Sequence, residues 1–457
     1  MFKGPCSGPM ARRDLLKVGT LALGGLSLPE LLAARSKSPS TRNHDNSVIL
    51  FWCYGGMSQL ETYDLKPDAP TEFRSVYKPI SSSIPGMDFC ELFPQQAKLA
   101  DKISIIRSMH HRMNSHSDGH IHGLTGKPPV QADPTSNQKS EHPDFGMIAS
   151  KLLGRHPRAL PRFVSIPSPV NYTRVNYLGV EHQSFPVGDP SANNYSPPHL
   201  TLQAGLRGDG LLERQQLLAQ FDRLRSNLDL HGTMDGTDTF RQSAFDMLTH
   251  PAIAKAFDIS KESDDLRNRY GRHRWGQGLL LARRLAEAGS SVISVAAGAA
   301  KDGWEYTNWD DHPGNNGREG HFARFLKTRL PYMDEALSAL IEDIHTRGLD
   351  QKIMVVVLSE FGRTPMIRVG PPNGSTGRDH WPQAYSAMVS GGGLKMGQVV
   401  GATNSKSEYP TQSPHTPGDL LATIYRHLGI DTLHEFDDFA GRPIPILPEG
   451  EPIGSLI

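Results

Sequence analysis

Five histidines, His110, His111, His116, His120 and His122, fall within thirteen residues, with Asn114 and Asp118 among them. Neutral imidazole suits zinc and other borderline first-row ions, and carboxylates in the same set widen the choice towards manganese. Five imidazoles exceed what one shell takes from one segment, so some of them must serve elsewhere. The plain alternative is a solvated polar loop with incidental histidines. Asp310, Asp311 and His312 stand between Trp309 and Pro313. An Asp and a His two apart reach the same face of an extended loop and can ligate one ion. SEFGRTP at 359–365 and GRDHW at 377–381 add Glu360, a carboxylate for metal binding or acid–base work, and Asp379 with His380. Arg363 and Arg378 carry forked donors that match sulfate or phosphate bidentately. Taken singly, an Arg beside a carboxylate is more often a structural ion pair. GGMSQLETYD at 55–64 adds a Gly-Gly turn with Ser58, Glu61 and Asp64.

These segments need a scaffold that brings them together. SVILFWCY at 47–54 is an apolar run ending at Gly55-Gly56, the pattern of a fully buried strand. Further strands are expected near 102–108, 163–166, 292–296 and 353–358. Helices are expected to start within 91–99 and to cover 210–229, 240–257, 273–288, 322–347 and 417–428, with Gly289 and Gly429 as C-caps. Alternating strands and helices imply an α/β fold with a doubly wound, mostly parallel sheet flanked by helices. In such sheets chemistry sits in the loops beyond the C-terminal strand ends. That rule selects 55–64, 110–122, 302–312 and 360–380, which hold the polar residues named above. An irregular insertion is expected near 167–200, and the glycines of GGGLKMG at 391–397 suggest a hairpin turn.

Composition narrows the partners. Lys and Arg number 48, as do Asp and Glu, so the formal charge is zero. No long-range field favours nucleic acid or an anionic membrane. Three scattered cysteines exclude a disulfide framework. Arg12-Arg13 precede a short, Gly-rich apolar stretch, Val18–Leu28, with small residues near Ala33-Ala34. This layout fits a twin-arginine export signal over 1–34, followed by a polar linker, 35–46, and one large domain over 47–457. The stretch is too short for a stable membrane span. The expected location is periplasmic or extracellular.

Read together, FWCYGGMSQLETYDLKPDAP, LTGKPP, WDDH, VVVLSEFGRTP, GRDHW and SGGGLKMGQVVGATN resemble the exported proteins grouped as domain of unknown function 1501. That group is related to the alkaline phosphatase and sulfatase superfamily. The resemblance implies the doubly wound sheet with a divalent-metal site at its strand ends, and cleavage of phosphate or sulfate esters. In sulfatases the nucleophile precedes an LTG segment by a fixed spacing, and here that place holds His116, with Ser117 beside it. The resemblance places Glu360 and Phe361 where an Asp-His pair normally follows the late strand. His116, Asp310, His312, Glu360, Asp379 and His380 are therefore the candidate metal ligands. The candidate catalytic residues are His116, Ser117, Glu360, Arg363 and Arg378. Zinc or manganese is the expected ion, with calcium and magnesium still open. The expected partner is an anionic ester or glycan. Two function classes stand: a metal-dependent hydrolase of phosphate or sulfate esters, with extracellular polysaccharides as candidate substrates, and a non-catalytic sulfatase-like module that binds anionic glycans or cell-surface partners.

Overall fold

The apolar runs become strands buried on both faces, and the glycines after them turn the chain. The computed structural model describes residues 45–197, 250–303, 307–314, 321–370 and 375–457. The export segment, all of the linker but its last two residues, the helix expected over 210–229 and residues 240–249 lie outside the described residues.

The strands of the central sheet are β1 (Ser47–Trp52), β2 (Ser104–Met109), β3 (Phe163–Ile166), β4 (Phe185–Pro186), β5 (Val292–Ala296), β6 (Ile353–Leu358), β7 (Tyr385–Gly391) and β8 (Gln398–Val400). They form one sheet in the order β8-β2-β7-β6-β1-β5-β3-β4. Central β1 runs parallel to β5, pairing Val48 with Val292, and parallel to β6, pairing Val48 with Met354. Successive side chains point to opposite faces, so one run feeds two cores. Ile49, Phe51, Ile293, Val295, Val355 and Val357 pack on one side with α3 (Arg274–Ala288) and α4 (Phe322–Thr346). Val48, Leu50, Trp52, Val292, Met354 and Val356 pack on the other, with α1 (His116–Thr125), α2 (Phe145–Leu153) and α5 (Pro417–Leu428). The sheet is doubly wound and mostly parallel, as the alternation of elements implied.

Three local expectations change. First, β7 was not visible in the sequence, and it lies antiparallel to both β2 and β6. Its run, YSAMVSG, breaks the apolar pattern with Ser386 and Ser390, although every residue in it is buried. Second, the glycines after β7 do not close a hairpin, because β7 and β8 lie on either side of β2. Third, His110–His122 is not all loop: α1 begins at His116. Gly289 and Gly429 do cap their helices in the left-handed conformation. Residues 167–197 carry only short elements, the 3-10 turns Asn176–Leu178 and Val180–His182 and the two-residue β4.

Candidate metal centre

The C-terminal ends of β1, β2, β5 and β6 share one edge of the sheet, and the polar loops follow them. Beyond β2, Ser115 caps α1 by accepting from the Asp118 N–H, which makes His116 the first helical residue. Gly119 lets this helix lie against the segment after β6, where a Cβ would meet the Glu360 carbonyl at 3.0 Å. Beyond β1, Gly55 has φ +113°, and a Cβ there would stand 2.7 Å from the Asp310 nitrogen. Two glycines thus admit the backbones that carry His116 and Asp310.

Four side chains converge there: His116, Asp310, His312 and His380 each offer one ligand atom, all within 4.8 Å of one another. Asp310 Oδ1 is 2.9 Å from His312 Nε2 and 3.1 Å from His380 Nε2, and Oδ2 is 3.4 Å from His116 Nε2. His312 and His380 approach nitrogen to nitrogen at 2.9 Å. These four side chains are 14 to 26 % exposed, so solvent reaches the cluster.

The far side of each ring fixes its protons. His116 Nδ1 faces the Glu360 carboxylate at 2.9 Å, His312 Nδ1 faces the Asp379 carboxylate at 2.9 Å, and His380 Nδ1 faces the Asn114 carbonyl at 2.8 Å. Carboxylate and carbonyl oxygens only accept, so each Nδ1 must donate. In the neutral ring Nε2 is then a bare lone pair, and three such lone pairs turn inward beside one carboxylate. Facing lone pairs repel, so the cluster calls for positive charge, either protons or a cation. Burial pushes His116 down, but its bonds to Asp310 and Glu360 carry it up to about 9. Burial pushes Asp310 up, but the Arg363 charge and the three histidines hold it well below the usual carboxylate range. Burial lowers His380 despite its bond to Asp310. Burial opposes ionised Glu360 as well, yet His120 and His116 bring its carboxyl below its ordinary value.

The remaining expected site residues are placed differently. Glu360 and Asp379 stand behind His116 and His312 rather than among the four converging atoms. Glu360 is wholly buried, and its Oε1 also accepts from the Gly55 N–H at 2.7 Å. Arg363 touches the cluster through Asp310 at 2.6 Å, but its other donors go to the carbonyls of Gly55, Gly56 and Arg378. Arg378 is not brought to the cluster. Its guanidinium pairs with buried Glu61 at 2.9 and 3.1 Å and with the carbonyls of Arg74, Thr364 and Pro365. Neither arginine is therefore free to grip an oxyanion. Ser117 is also turned away, its hydroxyl donating to Asp118 at 3.1 Å. Of the five clustered histidines only His116 joins the centre. His111 accepts from the Met113 N–H through Nδ1 and donates through Nε2 to the Glu360 carbonyl at 2.7 Å, which positions the segment after β6. His120 donates to the His116 carbonyl at 2.7 Å. The Asn114 carbonyl was not foreseen, since a backbone oxygen leaves no signal in residue type.

Residues 45–457 match the family described as Protein of unknown function (DUF1501). The chain belongs to this family. Among curated proteins none matches the sequence. Several solved structures are similar to this family member. One is a sulfatase from Pseudoalteromonas sp., at 13 % identity and TM-score 0.38, covering 92 % of this chain and 72 % of that one. Another is a phosphonate monoester hydrolase from Silicibacter pomeroyi, at 11 % and 0.35, covering 89 % and 75 %. A third is the C-terminal periplasmic domain of EcEptC from Escherichia coli, solved in complex with Zn, at 11 % and 0.35, covering 84 % and 83 %. At such identities and scores, these likenesses assign no residue a role.

Proposed function

We propose that this family member is an exported, metal-dependent hydrolase of phosphate or sulfate esters. The observation that carries the reading is the set of three imidazoles whose Nδ1 atoms all face acceptors, so that their Nε2 atoms turn together onto Asp310. Three nitrogens and one carboxylate oxygen suit zinc, and less well manganese, whereas magnesium and calcium prefer oxygen shells. His116, Asp310, His312 and His380 would hold the ion. When bound, such an ion polarises an ester oxygen and lowers the pKa of water. Glu360, Asp379 and the Asn114 carbonyl orient the imidazoles and hold a proton on each Nδ1, so that Nε2 is the atom each ring offers to an ion. Arg363 keeps Asp310 ionised and fixed against the Gly55 turn. The solvent-exposed side of the cluster leaves an approach for an anionic ester.

Purified full-length protein loaded with zinc or manganese should hydrolyse aryl phosphate or aryl sulfate monoesters. Turnover should vanish on chelation and return with the metal. One observation favours the second reading, a module that binds anionic glycans: four protein donors fill a tetrahedral shell, and Ser117 points elsewhere. Metal-replete protein that binds a sulfated glycan yet cleaves neither ester class would replace the hydrolase reading with that one.

The same proposal includes export by the twin-arginine route, on the strength of Arg12-Arg13 and the apolar stretch behind them. Replacing both arginines by lysine should strand the precursor in the cytoplasm, and undiminished export would exclude that route.

A further inference from the structure

A cavity of about 500 Å³ opens beside the metal centre, at the C-terminal ends of β1, β3 and β5. Its walls include Trp52, Tyr54, Pro167, Val170, Trp275 and Gly298. The cavity and the centre share structure. Tyr54 lines the cavity, and its ring lies parallel to that of His116 with centroids 6.3 Å apart. The Tyr54 carbonyl accepts from the Trp309 N–H at 2.9 Å, one residue before Asp310. Trp309 in turn stacks on Trp275 and donates its indole N–H to the Ala297 carbonyl, between the β5 end and Gly298. Tyr54 and Trp309 thus tie the wall of the cavity to the residues of the centre.

The cavity's chemistry differs from that of the centre. Its lining is mainly proline, aliphatic and aromatic. The cation on its rim, Arg274, is answered by Asp189 at 2.9 Å and by Asp302. A second anionic group would find no spare positive charge on that rim among the described residues. A neutral ring with an apolar face fits both the volume and the lining.

We infer that this cavity seats the alcohol portion of the ester, and that this portion is a neutral ring with an apolar face rather than a short alkyl chain or a second anion. The inference rests on the hydrolase reading for the word ester, but the binding it describes is measurable without turnover. An aryl ring and an uncharged pyranose share the required chemistry, and the probes separate them.

Gly298 provides the test, because a Cβ there meets nothing within 4 Å and its φ is not in the left-handed region. Gly298→Trp should fill the cavity, and Gly298→Leu should fill part of it. Equilibrium binding of phenyl phosphate, glucose 6-phosphate and methyl phosphate to zinc-loaded wild type should favour at least one ring-bearing ester over methyl phosphate. The preference expected from burying one ring is about ten- to a hundredfold. The tryptophan variant should lose it, and the leucine variant should fall between, with metal content retained in both. Phenyl phosphate ahead of glucose 6-phosphate would identify an aryl group, and the reverse a sugar. Equal binding of all three esters to wild type, or an undiminished preference in a folded tryptophan variant, would overturn the inference. Lost preference without hydrolysis of any ester would sustain the cavity and refute the hydrolase.

Discussion

Two groups of charge meet where Arg378 and His380 stand two residues apart, and they behave differently. Arg378 and Glu61 form a pair in which the guanidinium reaches two carboxylate oxygens and three backbone carbonyls. Both side chains are essentially inaccessible, at 1 % and 0 % exposure. Such a pair joins the turn after β1 to the segment after β6, and has no capacity left for a ligand. At the metal centre the outer nitrogens are equally well paired, but the inner ones face each other, as in the 2.9 Å approach of His312 to His380. Satisfied polar groups mark scaffold, whereas like groups pinned towards one point mark a site.

The difference can be broken from either side. The largest effect is expected at the scaffold pair. Glu61→Ala leaves Arg378 buried without its carboxylate and should lower stability by about 3–5 kcal/mol, read from a denaturant midpoint. The fraction that stays folded should still take up metal, since neither residue touches the four converging atoms. Loss of metal with unchanged stability would erase the distinction. A smaller effect is expected behind the centre. Asp379→Asn keeps the shape, but its amide can present either oxygen or nitrogen to His312 Nδ1, so the imposed tautomer is weakened. Metal affinity should fall by about 10- to 100-fold, as for other outer partners of metal-bound histidines. An unchanged dissociation constant would show that Asp379 does not orient His312.

Much of this was legible in the sequence because burial and metal chemistry leave marks in residue type. IMVVVL at 353–358 and SVILFW at 47–52 announced central strands, and the rule about strand ends selected the loops that carry His116, Asp310, His312 and His380. What failed depended on partners far away in sequence. Arg378 and Arg363 looked alike as anion-binding forks, yet Glu61, 317 residues from Arg378, claims one of them. β7 escaped notice because its serines are buried by neighbouring strands rather than exposed by a pattern. The helix over 116–125 was hidden by a polar, glycine-containing sequence whose start is set by the Ser115 cap. Tautomers depend on acceptors such as the Asn114 carbonyl, which only the fold supplies.

The central claim is that three imidazoles and Asp310 are arranged for a cation, and zinc titration of the full-length protein tests it most directly. Before loading, His116 sits at about 9 and so carries a proton at neutral pH. Zinc must displace that proton, so affinity should rise as the pH is raised from about 6 to about 9 and proton competition fades. The account predicts one zinc per wild-type chain, with binding that tightens over this range, and none for His312→Ala. Absence of binding by wild type, or equal binding by the folded His312→Ala variant, would contradict it.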